Sequence, residues 1–217
     1  MKMRASFLMR KNIKMLALGS AVLGLTAGSW ISYQQLFTKG LDHLPAEVCD
    51  GAARRDTVIR LLPDTRSAEE DGETHGAGDT FMFGCHVYAG DDSLLSGEVK
   101  IQDSSRQAWE TYYKSYGGPS QGSAEQTSAS GIYALSRGKF ASIYVPCVPS
   151  GSNPDDASQA YALISEVRVI GESRASGLGL HQALTDFAYE LTRHAYDLGK
   201  CENGQSFPDK LPRWAES

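Results

Sequence analysis

Residues 81–101 read FMFGCHVYAGDDSLLSGEVKI. Phe81 to Tyr88 is rich in aromatic and apolar side chains, Gly90-Asp91-Asp92 interrupts it, and a second strand-like run covers Leu94 to Ile101. Two strands joined by a tight turn are predicted. A hairpin that buries one face needs more strands beside it and a layer over it, so this stretch sets the fold class.

Downstream, Ser104 is placed to cap a helix running to Tyr116, with Trp109, Tyr112 and Tyr116 directed at the sheet. Gly117 to Ala129 reads as a Gly/Ser/Gln loop, Ile132 to Leu135 and Phe140 to Cys147 as strands turning at Arg137-Gly138, and Tyr161 to Ile170 as a further strand after the polar loop Pro149 to Ser158. Ser176 opens the last helix, to about Lys200, where Leu180, Leu184, Phe187, Leu191, Ala195 and Leu198 form an amphipathic stripe. Upstream, Cys49 and Asp50 open a short helix with Val58, Ile59 and Leu62 on one face, and Pro63 stops it. Asp64 to Gly78, DTRSAEEDGETHGAG, has almost no apolar side chain and reads as a solvated loop. The expected fold is α+β: an antiparallel sheet with helices packed on one face, an α/β sandwich. Glu202 to Ser217, with Pro208 and Pro212, reads as a loosely attached tail.

An internal echo supports that architecture. Phe83 to Val87, Asp91-Asp92 and Ser96 to Ile101 resemble Val145 to Val148, Asp155-Asp156 and Ser165 to Val169, and a helix follows each set. Chance matching of turn residues and strand alternation is the competing explanation.

The N-terminus sets where this domain is delivered. Lys2, Arg4, Arg10, Lys11 and Lys14 precede 24 uncharged residues, 15–38. As a helix these reach roughly 36 Å at about 1.5 Å per residue, enough to cross a hydrocarbon core of about 30 Å. Five uncompensated cations place residues 1–14 in the cytoplasm, and Trp30 and Tyr33 suit the outer interface. The expected layout is a basic cytoplasmic segment 1–14, one transmembrane signal-anchor helix 15–38, an extracytoplasmic domain 41–201 and the tail 202–217. A cleaved signal peptide is the alternative, because Thr26-Ala27-Gly28-Ser29 offers small residues to a peptidase. Gly24 and Gly28 form a GxxxG that offers a face for a homodimer.

Residues 15–217 carry 16 cations against 26 acids, a net charge of −10. So acidic a chain repels polyanions, which argues against nucleic acid as a partner.

The four cysteines, Cys49, Cys85, Cys147 and Cys201, all follow the uncharged run, and none forms a CxxC pair. In an oxidising compartment four such residues make two disulfides. Of three connectivities, Cys49 with Cys85 and Cys147 with Cys201 is the expected one, since each pair ties a helix end to a nearby strand within one half of the domain. Zinc is the alternative, but structural zinc sites bring their ligands in close pairs.

No motif specifies a catalytic residue, a metal site or a cofactor. Gly118-Pro119-Ser120-Gln121-Gly122 matches GxSxG, yet a nucleophile elbow follows a buried strand and opens a helix, whereas this match follows a helix and sits in a loop. His75, Asp79 and His86 are the only local group among five histidines, without the spacing of a metal site. Cys85 and His86 are adjacent on a strand and point to opposite faces, so they cannot act as a thiol and its base.

Val48-Cys49 with Leu61-Leu62-Pro63 closing the first helix, Phe83-Gly84-Cys85, Tyr144-Val145-Pro146-Cys147 and a final helix ending at Cys201 together resemble uncharacterised envelope proteins of high-GC Gram-positive bacteria. Many members of that group are lipoproteins. The resemblance implies a sandwich of antiparallel sheet and helices, similar in shape to the photosystem-associated and Ran-binding folds, with no catalytic residues to carry over. There is no cysteine at the end of the apolar run to carry a lipid, so the helix itself is the expected anchor. Two functions follow as expectations: a non-enzymatic binding or scaffold module of the cell envelope, contacting a protein or small ligand through the sheet face or the long loops, or an envelope hydrolase using Ser120 or a carboxylate pair.

Overall fold

The computed structural model describes residues 39–90, 92–116, 122–151 and 160–214. The expected span 15–38, with Gly24 and Gly28, lies outside them, as does Ser120. Among the described residues no helix is long and apolar enough to cross a membrane.

The expected hairpin forms as β4 (Met82–Ala89) and β5 (Ser93–Asp103), paired from Met82↔Lys100 to Ala89↔Ser93. Burial alternates at successive residues of β5 from Ser93 to Gln102, as period-2 alternation requires. On its other side β5 pairs with β9 (Tyr161–Ile170) through ten residues. Seven antiparallel strands lie in the order β3-β4-β5-β9-β8-β7-β6, completed by β3 (Ala68–His75), β6 (Glu125–Ala129), β7 (Ile132–Arg137) and β8 (Phe140–Pro146). The short strands β1 (Glu47–Val48) and β2 (Ala53–Arg54) form a separate hairpin before α1 (Arg55–Leu61). Helix α2 (Arg106–Ser115) follows β5, and α3 (Gly177–Leu198) follows β9.

The helices do not share one face, which corrects the expected sandwich. Phe187 and Leu191 of α3 join one buried cluster with Leu95, Val99, Ile143, Val145, Val167 and Val169. Trp109 and Tyr113 of α2 join a second with Leu135, Phe140, Tyr144, Ala162 and Ile164. Along β8 and the first half of β9 these two sets alternate, so both faces are buried there and each helix takes one. The internal echo breaks at the same point. Strand pairs β4–β5 and β8–β9 are related about the central pair Glu98↔Glu166, but the helices after them lie on opposite faces.

Other expectations fail for related reasons. Asp64 to Gly78 is not a loop throughout, because its middle, Ala68–His75, is β3, an edge strand held by backbone pairing to β4 and needing no apolar side chains. Part of the Gly117 to Ala129 stretch is likewise the opposite edge, β6. Cys49 and Asp50 do not open a helix; they turn β1 into β2 with φ of 54° and 56°, and α1 begins only at Arg55. Ser105, not Ser104, caps α2 by accepting from Ala108 N at 3.2 Å. Trp109 faces the sheet as expected, but its companion is Tyr113 rather than Tyr112, which is 57% exposed.

The chain from Glu202 to Trp214 is not loosely attached. Phe207 packs against the rings of Tyr189 and Tyr196 at 6.0 and 5.1 Å, Leu211 is buried, and the two tyrosine hydroxyls donate to the carbonyls of Pro208 and Asn203. Tyr189 and Tyr196 both belong to α3. That helix also holds α1 through Glu190, whose side chain is buried at 8% exposure. Its carboxylate accepts from Arg54 N at 3.0 Å, Arg54 Nε at 2.8 Å and Thr57 Oγ1 at 3.0 Å. Three donors around one carboxylate make the burial tolerable.

Both disulfides form with the expected connectivity, Cys49–Cys85 and Cys147–Cys201, at Cα separations of 5.3 and 5.0 Å. The first fastens the β1–β2 turn across edge strand β3. Gly72, opposite Cys85 in the ladder, leaves room for that turn, since a Cβ there would stand 2.8 Å from the Cys49 backbone.

Two predictions follow from this packing. Gly72→Ala should cost about 1–3 kcal/mol as an overpacking change, read as a lower urea midpoint. Gly179→Ala, in helix α3 with nothing within 4 Å of its added Cβ, should raise the midpoint by the equivalent of about 1 kcal/mol. Burial also lowers the pKa of His181, whose Nδ1 is 2.9 Å from Ser136 Oγ, and of His194, stacked near Phe83, from their ordinary value of 6.5. Because the fold favours the neutral rings, their contribution is complete above the unfolded value and is lost as pH falls through the folded ones. Unfolding free energy should therefore drop from pH 7 towards pH 5, and the double variant His181→Gln, His194→Gln should flatten that slope.

Candidate functional site

The face of the sheet that carries α2 is only half covered. Helix α2 packs on β7 and β8, and on the side of β3, β4 and β5 beyond it the side chains are exposed or partly exposed, Gly84 alone being buried. The register puts them in rows across the strands. Glu69, Tyr88, Leu94 and Ile170 form one row, and Asp71, His86, Ser96 and Arg168 the next. Glu73, Gly84, Glu98 and Glu166 form a third, and His75, Met82 and Lys100 a fourth.

Chemically the rows differ. The first is apolar across three strands, with Tyr88 46% and Ile170 51% exposed and Leu94 between them. The second and third hold most of the acids. Glu69, Asp71, Glu73, Glu98 and Glu166 face only Lys100 and Arg168, a net charge of −3 with neutral histidines. Three of the acids pair with the residue two further along their own strand: Glu73 with His75 at 2.9 Å, Glu98 with Lys100, and Glu166 with Arg168 at 3.1 Å. Residues two apart on a strand share a face, which is why these pairs form. Exposed as they are, they contribute little stability. Glu69 and Asp71, beside the apolar row, lie outside these pairs.

Gly84 makes a dip in this surface, and Glu73 and His86 border it, with Glu73 Cγ 3.3 Å and His86 Cε1 3.6 Å from where a Cβ would stand. At the inner boundary α2 is fastened by two polar contacts. Trp109 Nε1 donates to Ser142 Oγ at 2.8 Å, and Tyr113 OH donates to Glu166 Oε1 at 2.5 Å. Burial, and then the bond to the Glu166 carboxylate, push the Tyr113 phenol well above its ordinary value, so it remains a donor. Glu166 therefore belongs to both the covered and the open half.

The residues singled out in the sequence do not converge here. His75 and His86 sit on the open face in different rows, and Asp79 lies in a separate 3-10 turn, Gly78–Thr80. Among the described residues no three His, Cys, Asp or Glu side chains are grouped to hold a metal ion. Cys85 is buried and disulfide-bonded, with His86 on the opposite face of the strand. Beside α2, a cleft of about 220 Å³ holds Arg106 stacked 4.8 Å over Tyr133 and Glu110 bonded to Lys114 at 2.5 Å and to Gln126 at 3.3 Å. Its polar groups thus partner one another.

Sequence reasoning offered the sheet face as a contact surface but missed these residues, because three of the five acids lie in the stretch read as loop. The signal that would have found it is the alternation Glu69, Asp71, Glu73, His75 at every second position. No protein-family model, curated protein or solved structure matches the chain.

Tyr113→Phe should cost about 1.5–3 kcal/mol, the range for a lost hydrogen bond to a charged group, while leaving the apolar packing of α2 in place. Urea unfolding followed by Trp109 fluorescence measures it.

Proposed function

We propose that this chain is an exported, membrane-anchored, non-enzymatic binding module of the cell envelope, and that its contact surface is the open half of the sheet. The partner is a protein surface carrying apolar groups flanked by cations. The observation that carries this reading is the row Tyr88, Leu94 and Ile170, exposed side by side on adjacent strands and bordered by Glu69 and Asp71. Contiguous exposed apolar side chains rimmed by charge are what protein contact sites present, and a net negative rim selects a cationic partner and repels nucleic acid.

Placement outside the membrane is supported by the two disulfides, which persist in oxidising compartments. The uncharged run 15–38 behind a basic head supports an anchor with its N-terminus in the cytoplasm. The resemblance to envelope proteins of high-GC Gram-positive bacteria supports the same placement.

The test is site-specific photocrosslinking in intact cells. A benzophenone side chain at Ser96, within the open face, should give a discrete adduct that one at Lys200, on the far end of α3, does not. The double variant Tyr88→Ala, Ile170→Ser and the charge reversal Glu69→Lys, Asp71→Lys should each reduce that adduct about tenfold, the equivalent of about 1.4 kcal/mol of binding. Identical adducts from both positions, or an adduct indifferent to both variants, would refute the assignment.

A further inference from the structure

A second surface, remote from the open face in sequence and chemistry, lies where α1, α3 and the C-terminal segment meet. It is a groove of about 390 Å³. Five cations line it, Arg54, Arg60, Arg193, Lys210 and Arg213, against four acids, Asp56, Asp186, Glu190 and Asp209. Two of the acids are consumed by the fold. Glu190 accepts from Arg54 Nε at 2.8 Å and lies 2.6 Å from Nη2, and Asp186 pairs with Arg60 at 2.9 Å. That leaves Arg193, Lys210 and Arg213 against Asp56 and Asp209. Among the described residues none of these three cations has a hydrogen bond or ion pair, and all three are exposed.

Their gathering is a product of the fold. Arg193 comes from α3, while Lys210 and Arg213 come from the segment clamped onto that helix by Phe207 and Leu211. In a chain whose residues 15–217 carry a net charge of −10, a pocket with surplus cations is a local reversal of sign. Three cations gathered with only Asp56 and Asp209 to oppose them leave positive charge in excess, and an anion bound between them neutralises it. Arg54 adds a preset donor, because Glu190 holds its guanidinium in place through Nε and Nη2 and leaves Nη1 unengaged.

We propose that this groove binds a small multivalent oxyanion, a molecule bearing phosphate or carboxylate groups, with Arg193, Lys210 and Arg213 as its charge partners and Arg54 as an oriented donor. Guanidinium forks match both classes of anion in a planar, two-point arrangement. The groove is larger than one inorganic ion needs and falls in the range of pockets for small organic ligands. The acidity of the surrounding surface selects against extended polyanions, so the ligand is a compact one. Phosphate groups of this kind occur both in free metabolites and in lipid headgroups.

Isothermal titration of the full chain in a non-ionic detergent tests it, with inorganic pyrophosphate, glycerol phosphate and citrate as probes. At least one probe should bind, and more weakly as salt is raised. The triple variant Arg193→Gln, Lys210→Gln, Arg213→Gln should weaken that binding by about tenfold or more. Its thermal midpoint without ligand should stay at or above the parent's, since the three side chains have no partners to lose. A control with the same change in net charge, Lys100→Gln, Lys114→Gln, Lys200→Gln, should bind as the parent does. Glycerol phosphate binding more tightly than pyrophosphate would identify a headgroup source, and the reverse a free phosphate. Absence of heat with all three probes, or equal weakening in the control, would overturn the proposal.

Discussion

Helix α3 lies against the sheet at the one place in the middle of β5 where no side chain stands in its way. Gly97 faces Leu191, and a Cβ added there would come 2.3 Å from Leu191 Cδ1 and 3.3 Å from Phe187 Cε1. That close approach lets α3 bury thirteen of its 22 residues. The rest of the structure is hung on the same helix. Glu190 draws in Arg54 and Thr57, and with them α1 and the β1–β2 hairpin. Tyr189 and Tyr196 hold the C-terminal segment, and the Cys147–Cys201 disulfide returns the end of the helix to the strand side of the fold. Apolar burial supplies the driving force, and the polar contacts decide which segments share in it.

An asymmetry follows from placing α2 on the other face. The helix is ten residues long and spans part of a seven-stranded sheet, so it covers one half and leaves β3, β4 and β5 facing outward. A sheet edge of this kind invites pairing with another chain, and β3 is protected by its acids, since Glu69, Glu70, Asp71 and Glu73 oppose a second strand of like charge. The same acids give the open face its sign. One set of residues thus guards the edge and sets the charge of the flat surface beside it.

Much of the architecture was legible because it depends on local periodicity. The β4–β5 hairpin, strands β7, β8 and β9, and α3 all carry a strand or helix pattern strong enough to be read, and the cysteine pairing was expected from keeping each pair within one half of the domain. The elements missed were those with no apolar signal. Strand β3 has acids where a strand reading expects branched side chains, and β6, Glu-Gln-Thr-Ser-Ala, is polar throughout. Both form because a paired neighbour offers them a ladder of backbone donors and acceptors, which is available to any sequence without proline. The exposed apolar row and the cationic groove fell in the same blind spot. Tyr88, Leu94 and Ile170 come from three strands, and Arg193, Lys210 and Arg213 from a helix and a segment read as a tail.

By itself the amino-acid sequence determined the α+β class, the strongly patterned elements β4, β5, β7, β8, β9 and α3, and the acidic charge, since each of these depends on composition or on residues close along the chain. Only the tertiary structure decided which face each helix takes, that the last residues are clamped, and which distant side chains stand together. Those outcomes depend on steric room, such as that at Gly97 and Gly72, and on strand register, neither of which is encoded in any one stretch of residues.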